Sequence, residues 1–544
     1  MRPIAEVAAD LDVPADALQV YGGFAAKIDT SRLPERPAGS PDAKLILVSA
    51  ITPTKAGEGK TTTTIGLGDA FTKLGRRVCI ALREPSLGPC MGIKGGGTGG
   101  GKAQLVPMDR INLHFTGDFH AITSAHNLIA AMLDNHIHFG SDLNIDPRRV
   151  SWPRVLDMND RSLRHVVMGL GGKANSMPRE GGFDITAASE LMAILCLAED
   201  ADDLRARIDR IVVAYTHDGI PVTASQLDTT GAAMALLRDA VHPNLVQTME
   251  GTPAIVHGGP FANIAHGCSS VVGTKLALRL ADWVLTEAGF GFDLGAEKFY
   301  DIKCRSAGLD TAAVVLVASA RALKLHGGRA FQEFDQADPA AVERGLPNLE
   351  KHIENIHQFT ELPVVALNRF EGDTDEEVAV VRDYCAAHKV EFGVAEHFAK
   401  GGDGAVDVAE AIIRHAKTDQ TRFRPLYGLE ESIPDKIFAV ATRMYGASDI
   451  AFTKQAQRDL EDVERLGFSK LPVCIAKTPS SLSDDPKLCG RPRDFEVTIR
   501  GIQINAGAGF LVVLTGDILR MPGLPRQPQA ESIDLRDGTI VGLR

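Results

Sequence analysis

The chain has 544 residues, 44% of them hydrophobic and 24% charged, with a net charge of −12 at neutral pH. That length and apolar content are enough for more than one domain with a buried core. The acidic balance argues against a surface built for nucleic acid or an anionic membrane, because either needs clustered positive charge to displace counterions.

The N-terminal stretch carries Glu6, Asp10 and Asp12 where a signal peptide needs an unbroken apolar segment, and no later stretch reaches membrane-spanning length without glycine or charge. Eight scattered cysteines include no CxxC pair and no zinc-site or disulfide spacing, so they read as reduced thiols. The expected location is the cytoplasm, with neither nucleic acid nor membrane as a partner.

The first apolar run is LILVSA at 45–50, followed by TPTKAGEGKTTTT at 52–64. A phosphate-binding loop needs small residues so that successive N–H groups converge on phosphate oxygens, a lysine for the β and γ phosphates, and a hydroxyl for Mg2+. Gly57, Gly59, Lys60 and Thr61 supply these, although Thr54 stands where the full pattern has glycine. Lys55 also brings KAGEGKT near the deviant loop of partition-type switch ATPases, in which an early lysine assists hydrolysis. That switch is the alternative reading.

The segment TTTTIGLGDAFTKLG then predicts a helix with Ile65, Leu67, Phe71 and Leu74 on an apolar face and Gly75 as a left-handed C-cap. The second run, VCIAL at 78–82, completes a βαβ unit. Arg83 and Glu84 follow at its carboxyl end. An arginine there can hold a second anion with its planar fork of donors, or form a structural pair with Glu84. The run GIKGGGTGGGK, with Lys94 and Lys102, reads either as a flexible linker or as an anion-binding or mobile active-site loop, its mobile part over 95–101. His114, His120, His126, His136 and His138 fit no metal-ligand signature and read as core or surface residues.

Further runs at 165–172, 210–216, 254–259, 283–289, 312–323 and 362–370, with VEFGVAE, LPVCIAK and GFLVVLTG, alternate with helical segments. Continuous apolar strands separated by helices predict an α/β fold with a mostly parallel sheet covered on both faces, and ligands at the carboxyl ends of its strands. GDTDEE at 372–377 reads as a helix start. Phe370 and Phe398, each after an apolar run, read by themselves as core residues.

Six stretches, TPTKAGEGKTTTT, LREPSLGPCMGIKGG, VPMDRINLHFTGDFHAITSAHN, PNLVQTMEGTPAIVHGGPFANIAHGCSS, TEAGFGFDLGAEKFYDIKCR and MPGLPR, together resemble formate–tetrahydrofolate ligase, collinearly over essentially the whole chain. The resemblance implies a P-loop nucleotide-binding domain with two smaller α/β domains, divided here at 1–355 (ATP and formate), 356–450 (folate) and 451–544, in a subunit that assembles as a homotetramer. It implies ATP-dependent ligation of formate to N10 of tetrahydrofolate through formyl phosphate.

Residue by residue, the resemblance gives Thr54, Lys55, Ala56, Gly57, Glu58, Gly59, Lys60, Thr61 and Thr62 to ATP, with Mg2+ on Thr61. Arg83 takes formate and then formyl phosphate, and Arg83 and Lys60 are the catalytic cations. Phe370 and Phe398 stack on the pterin, and Glu84 and Asp118 hold an activating monovalent cation, K+ or NH4+. The sequence departs from the family pattern at three places. Position 55 is usually proline, position 398 usually tryptophan, and KTPSSLSDD usually has aromatics after KT. A phenylalanine at 398 offers less stacking area, which implies weaker folate binding and retained activity.

Overall fold

The computed structural model describes residues 1–36, 42–93, 96–360, 363–416, 423–516 and 518–543. A twelve-stranded sheet forms its centre. Seven strands of it run parallel, in the order Pro253–Val256, Val78–Leu82, Trp283–Glu287, Lys44–Ala50, Ala313–Ala318, Pro363–Asn368 and Glu391–Ala395. Strands Asn244–Thr248, Ala25–Ile28 and Leu18–Tyr21 extend it antiparallel at one end. The apolar runs are continuous because both faces are covered. Leu45 and Leu47 join one buried cluster with Leu316, Val365 and Leu367, while Ile46 and Val48 join another with Val315, Val317 and Phe71.

The helix after the first central strand is Lys60–Lys73, and Gly75 beyond its end is left-handed at φ 67°. Its expected apolar residues Ile65, Leu67 and Phe71 are fully buried. The βαβ reading holds, but the two strands are not neighbours, because Trp283–Glu287 lies between them. Four of the apolar runs fall outside the main sheet, two of them in the C-terminal part and two between residues 165 and 216. Val166–Met168 pairs antiparallel with Arg179–Gly181, and Val212–Thr216 sits in a three-stranded antiparallel sheet with Pro221–Thr223 and Ile145–Val150. These runs lie in a segment with its own core around the Asp118–Phe139 helix, and local apolar content does not tell which sheet a strand will join.

The boundary drawn at 355/356 falls in the last turn of the Pro339–His357 helix, and the next two strands continue the main sheet. The acidic run at 372–377 does start a helix, Asp375–Ala387, with a Thr374–Glu377 capping box. The C-terminal part carries a three-stranded sheet, with Val473–Ala476 parallel to Phe510–Leu514 and Gly501–Asn505 antiparallel to it. Among the described residues no helix is long and apolar enough to cross a membrane.

Glu190, on the short Glu190–Leu197 helix, fastens this C-terminal part by accepting N–H bonds from Gly507 at 2.8 Å and Ala508 at 3.1 Å. Burial pushes its carboxyl up to about 7, against the stabilising pull of those two bonds. A raised carboxyl contributes most to folding stability below its unfolded value near 4.5, and that contribution is lost as pH rises to about 7. Glu190→Gln keeps the acceptor and cannot ionise, so its melting temperature relative to wild type is expected to rise between pH 5 and pH 8. A difference that stays constant with pH refutes this assignment.

Candidate active site

In a parallel sheet every strand delivers its carboxyl end to the same edge, so strand order decides which side chains meet. Along this edge Leu82 leads to Arg83, Glu287 ends its own strand, Ala50 leads to the glycine loop and Ala318 to Ser319. Asn368 leads to Phe370, and Ala395 leads to Phe398. At about 4.8 Å per strand, the strand of Arg83 and that of Phe370 each lie roughly 10 Å from the loop strand, on opposite sides.

The loop itself is built for close backbone approach. Gly57 and Gly59 are left-handed, at φ 79° and 77°, and no side chain caps the helix that starts at Lys60. Its first-turn N–H groups therefore form an anion-seeking end. Glu58 turns inward and is 1% exposed. Its carboxylate accepts from the Thr54 N–H at 2.7 Å and from the Ser319 hydroxyl, and its carbonyl accepts from Asn368 Nδ2 at 3.0 Å. Lys55 and Ala56 are exposed, and Gly57, Gly59, Lys60, Thr61 and Thr62 are half-buried. Thr61 donates its hydroxyl to Glu287 Oε2 at 2.8 Å, which puts a hydroxyl and a carboxylate together where a divalent cation would need them.

Arg83 is half-buried and donates from Nη1 to the Pro260 carbonyl at 2.9 Å, while its Nε has no partner among the described residues. A Cβ at Gly289 would come within 3.2 Å of its Nη2, so the glycine after the Glu287 strand leaves the guanidinium its room. Glu84 points elsewhere and forms no pair with Arg83. Burial, and then the Asp118 carboxylate, hold its acid well above the usual carboxylate range, partly offset by Lys27. Asp118 receives Lys27 Nζ at 2.7 Å and Asn244 Nδ2 at 2.8 Å. Glu84 Oε2 has no partner among the described residues, and a buried carboxyl oxygen left in that condition fits a cation.

Phe370 is half-buried and Phe398 is 59% exposed, so Phe398 is not the core residue that an apolar run by itself suggests. Gly100 and Gly101 of the glycine-rich run pack directly on Phe398: a Cβ on Gly101 would lie 2.2 Å from the Phe398 carbonyl oxygen, and Lys102 donates its N–H to that oxygen at 2.9 Å. The run is therefore no linker over these residues. Lys94 and Gly95 lie outside the described residues. Of the five histidines, His126 is a core residue, held by Ser189 and the Pro153 carbonyl and stacked on Trp152 at 4.0 Å.

Sequence reasoning passed over Glu287, Ser319, Asn368 and His397. Glu287 and Asn368 stand at strand ends, where the parallel-sheet rule already pointed. His397 contacts Thr63 Oγ1 at 3.3 Å through Nε2, and burial lowers it to about 4, so it is a neutral spacer between helix and loop.

A family model described as Formate--tetrahydrofolate ligase matches residues 1–544, the entire chain. The chain belongs to this family. As a formate–tetrahydrofolate ligase it is an enzyme that joins formate to tetrahydrofolate at the expense of ATP, and the match gives no support to the partition-type switch.

Gly59 is the most constrained position of the loop. A Cβ there would meet Asn368 Nδ2 at 2.5 Å, and left-handed backbone costs an L-residue roughly 1–2 kcal/mol. Gly59→Ala is expected to weaken ATP binding about tenfold or more by calorimetry. Adding Asn368→Gly should restore only part of it, since that change relieves the contact and not the backbone.

Proposed function

We propose that ligation runs through formyl phosphate, with the residues of the strand-end row in distinct roles. Formate carries a negative charge toward an already polyanionic triphosphate, and one unit-charge pair at about 4 Å is worth about 4 kcal/mol at an effective dielectric near 20. Counter-charge must therefore be in place before the bond forms. Residues 54–62 cradle ATP, Lys60 reaches its terminal phosphates, and Arg83 holds formate with its free guanidinium edge. What carries this reading is the partnerless Nε of Arg83 at a strand end on the same edge as the left-handed glycine loop.

Transfer of the γ-phosphoryl group to a formate oxygen releases ADP and makes the formyl carbon electrophilic. The folate N10 then attacks that carbon, the C–O bond to phosphate breaks, and phosphate departs with the formate oxygen and takes up the proton that N10 gives up. The protein's share is positioning and charge stabilisation, with little covalent work. Thr61 and Glu287 would hold Mg2+, which neutralises charge on the phosphates when bound. Glu84 and Asp118 would hold a monovalent cation, the partnerless Glu84 oxygen being what supports it.

Phe370 and Phe398 take the pterin. On this reading 1–355 serves ATP and formate in a P-loop unit, 356–450 supplies the folate contacts while sharing the same sheet, and 451–544 forms the C-terminal unit. Homotetrameric assembly and a cytoplasmic location complete the proposal, following the family and the reduced cysteines.

The test is ADP formation that requires both formate and tetrahydrofolate. Arg83→Ala is expected to abolish ligation while ATP still binds nearly as in wild type, whereas Lys60→Ala weakens ATP binding itself. Full turnover by the Arg83 variant, with unchanged formate affinity, overturns the role.

A further inference from the structure

Arg321 opens the Ala320–His326 helix, directly after the strand that delivers Ser319 to Glu58. Its guanidinium carbon lies 4.5 Å from the centroid of the Phe370 ring, well inside the range of a cation–π contact. Its Nη2 is tied to Asp335 Oδ1 at 3.0 Å. Burial raises the acid of Asp373, which accepts the Phe370 N–H at 2.8 Å; that bond, then Lys324 and last Arg321 draw it back toward ionisation. Phe370 is thus held twice, at its backbone by Asp373 and across one ring face by Arg321.

A side chain at the start of a loop is a poor stacking platform unless its plane is fixed, because ordering it on binding costs affinity. A planar guanidinium on one face fixes the plane and leaves the opposite face for a flat ligand. We infer that Arg321 is a folate-positioning residue, backing Phe370 so that its other face receives the pterin. The inference rests on the reading of Phe370 as a pterin-stacking residue, and it gives Arg321 no contact with the reacting atoms.

The measurement is steady-state kinetics of the wild type, Arg321→Met, Phe370→Leu and the double variant, with tetrahydrofolate and with a tetrahydropteroate that lacks the glutamate tail. Cation–π contacts at partly exposed sites contribute about 0.5–1 kcal/mol. Arg321→Met is therefore expected to raise the folate KM about two- to fivefold with both substrates, leaving the KM for ATP and kcat in place, while Arg321→Lys recovers part of the loss. In the Phe370→Leu background the Arg321 change should add nothing.

An Arg321 effect of equal size in that background overturns the inference. So does an effect confined to the tailed substrate, which would place the guanidinium on the glutamate carboxylates. If Phe370→Leu itself leaves the folate KM unchanged, the pterin-stacking reading fails first, and the positioning role goes with it.

Discussion

The site depends on one inward-turned acid. Glu58 lies in the middle of the glycine loop, where a charged side chain would ordinarily face water, yet it is buried and spends its carboxylate on Thr54 and Ser319 while its carbonyl takes Asn368 Nδ2. Three strand ends are tied to one residue. A buried carboxylate is costly unless its acceptor capacity is met, so these partners are obligatory, and the loop holds its shape through neighbours on its Ser319 and Asn368 side. That side leads on to Arg321 and Phe370, so the shape of the glycine loop and the placement of Phe370 share a foundation.

The other side of the loop is organised by charge. Between the Arg83 strand and the loop strand runs Trp283–Glu287, whose terminal carboxylate faces the Thr61 hydroxyl. That places an acid between the Arg83 guanidinium and the N-terminus of the Lys60–Lys73 helix, so the negative charge of Glu287 offsets two positive neighbours. The chain's overall negative charge is no obstacle, because fields in a partly buried site are set by the nearest few groups and by how much water they exclude.

Much of this was legible in the sequence, for identifiable reasons. The loop, its helix and the Gly75 cap are local features, each set by a few residues whose backbone preferences agree. The seven parallel strands could be read as apolar runs because burial on both faces removes the polar alternation. Strand order was not legible: nothing near residue 83 reports that the 283–287 segment will slip between its strand and residues 44–50. For the same reason Glu287 and Asn368 went unread, although both stand at strand ends, and Phe398 looked like core while the structure leaves it largely in solvent. The 166–168 and 212–216 runs joined smaller sheets because pairing is a contest among distant partners, which composition alone does not score.

The packing at Gly66 adds a mechanical corollary. A Cβ on that residue would come within 2.4 Å of the Cβ of His397, so the helix behind the glycine loop and the turn bearing Phe398 ride on each other with no compressible layer between. Interfaces this tight transmit displacement instead of absorbing it. A shift of that helix would therefore pass to His397, the immediate neighbour of the exposed Phe398, with no gap in which it could be lost.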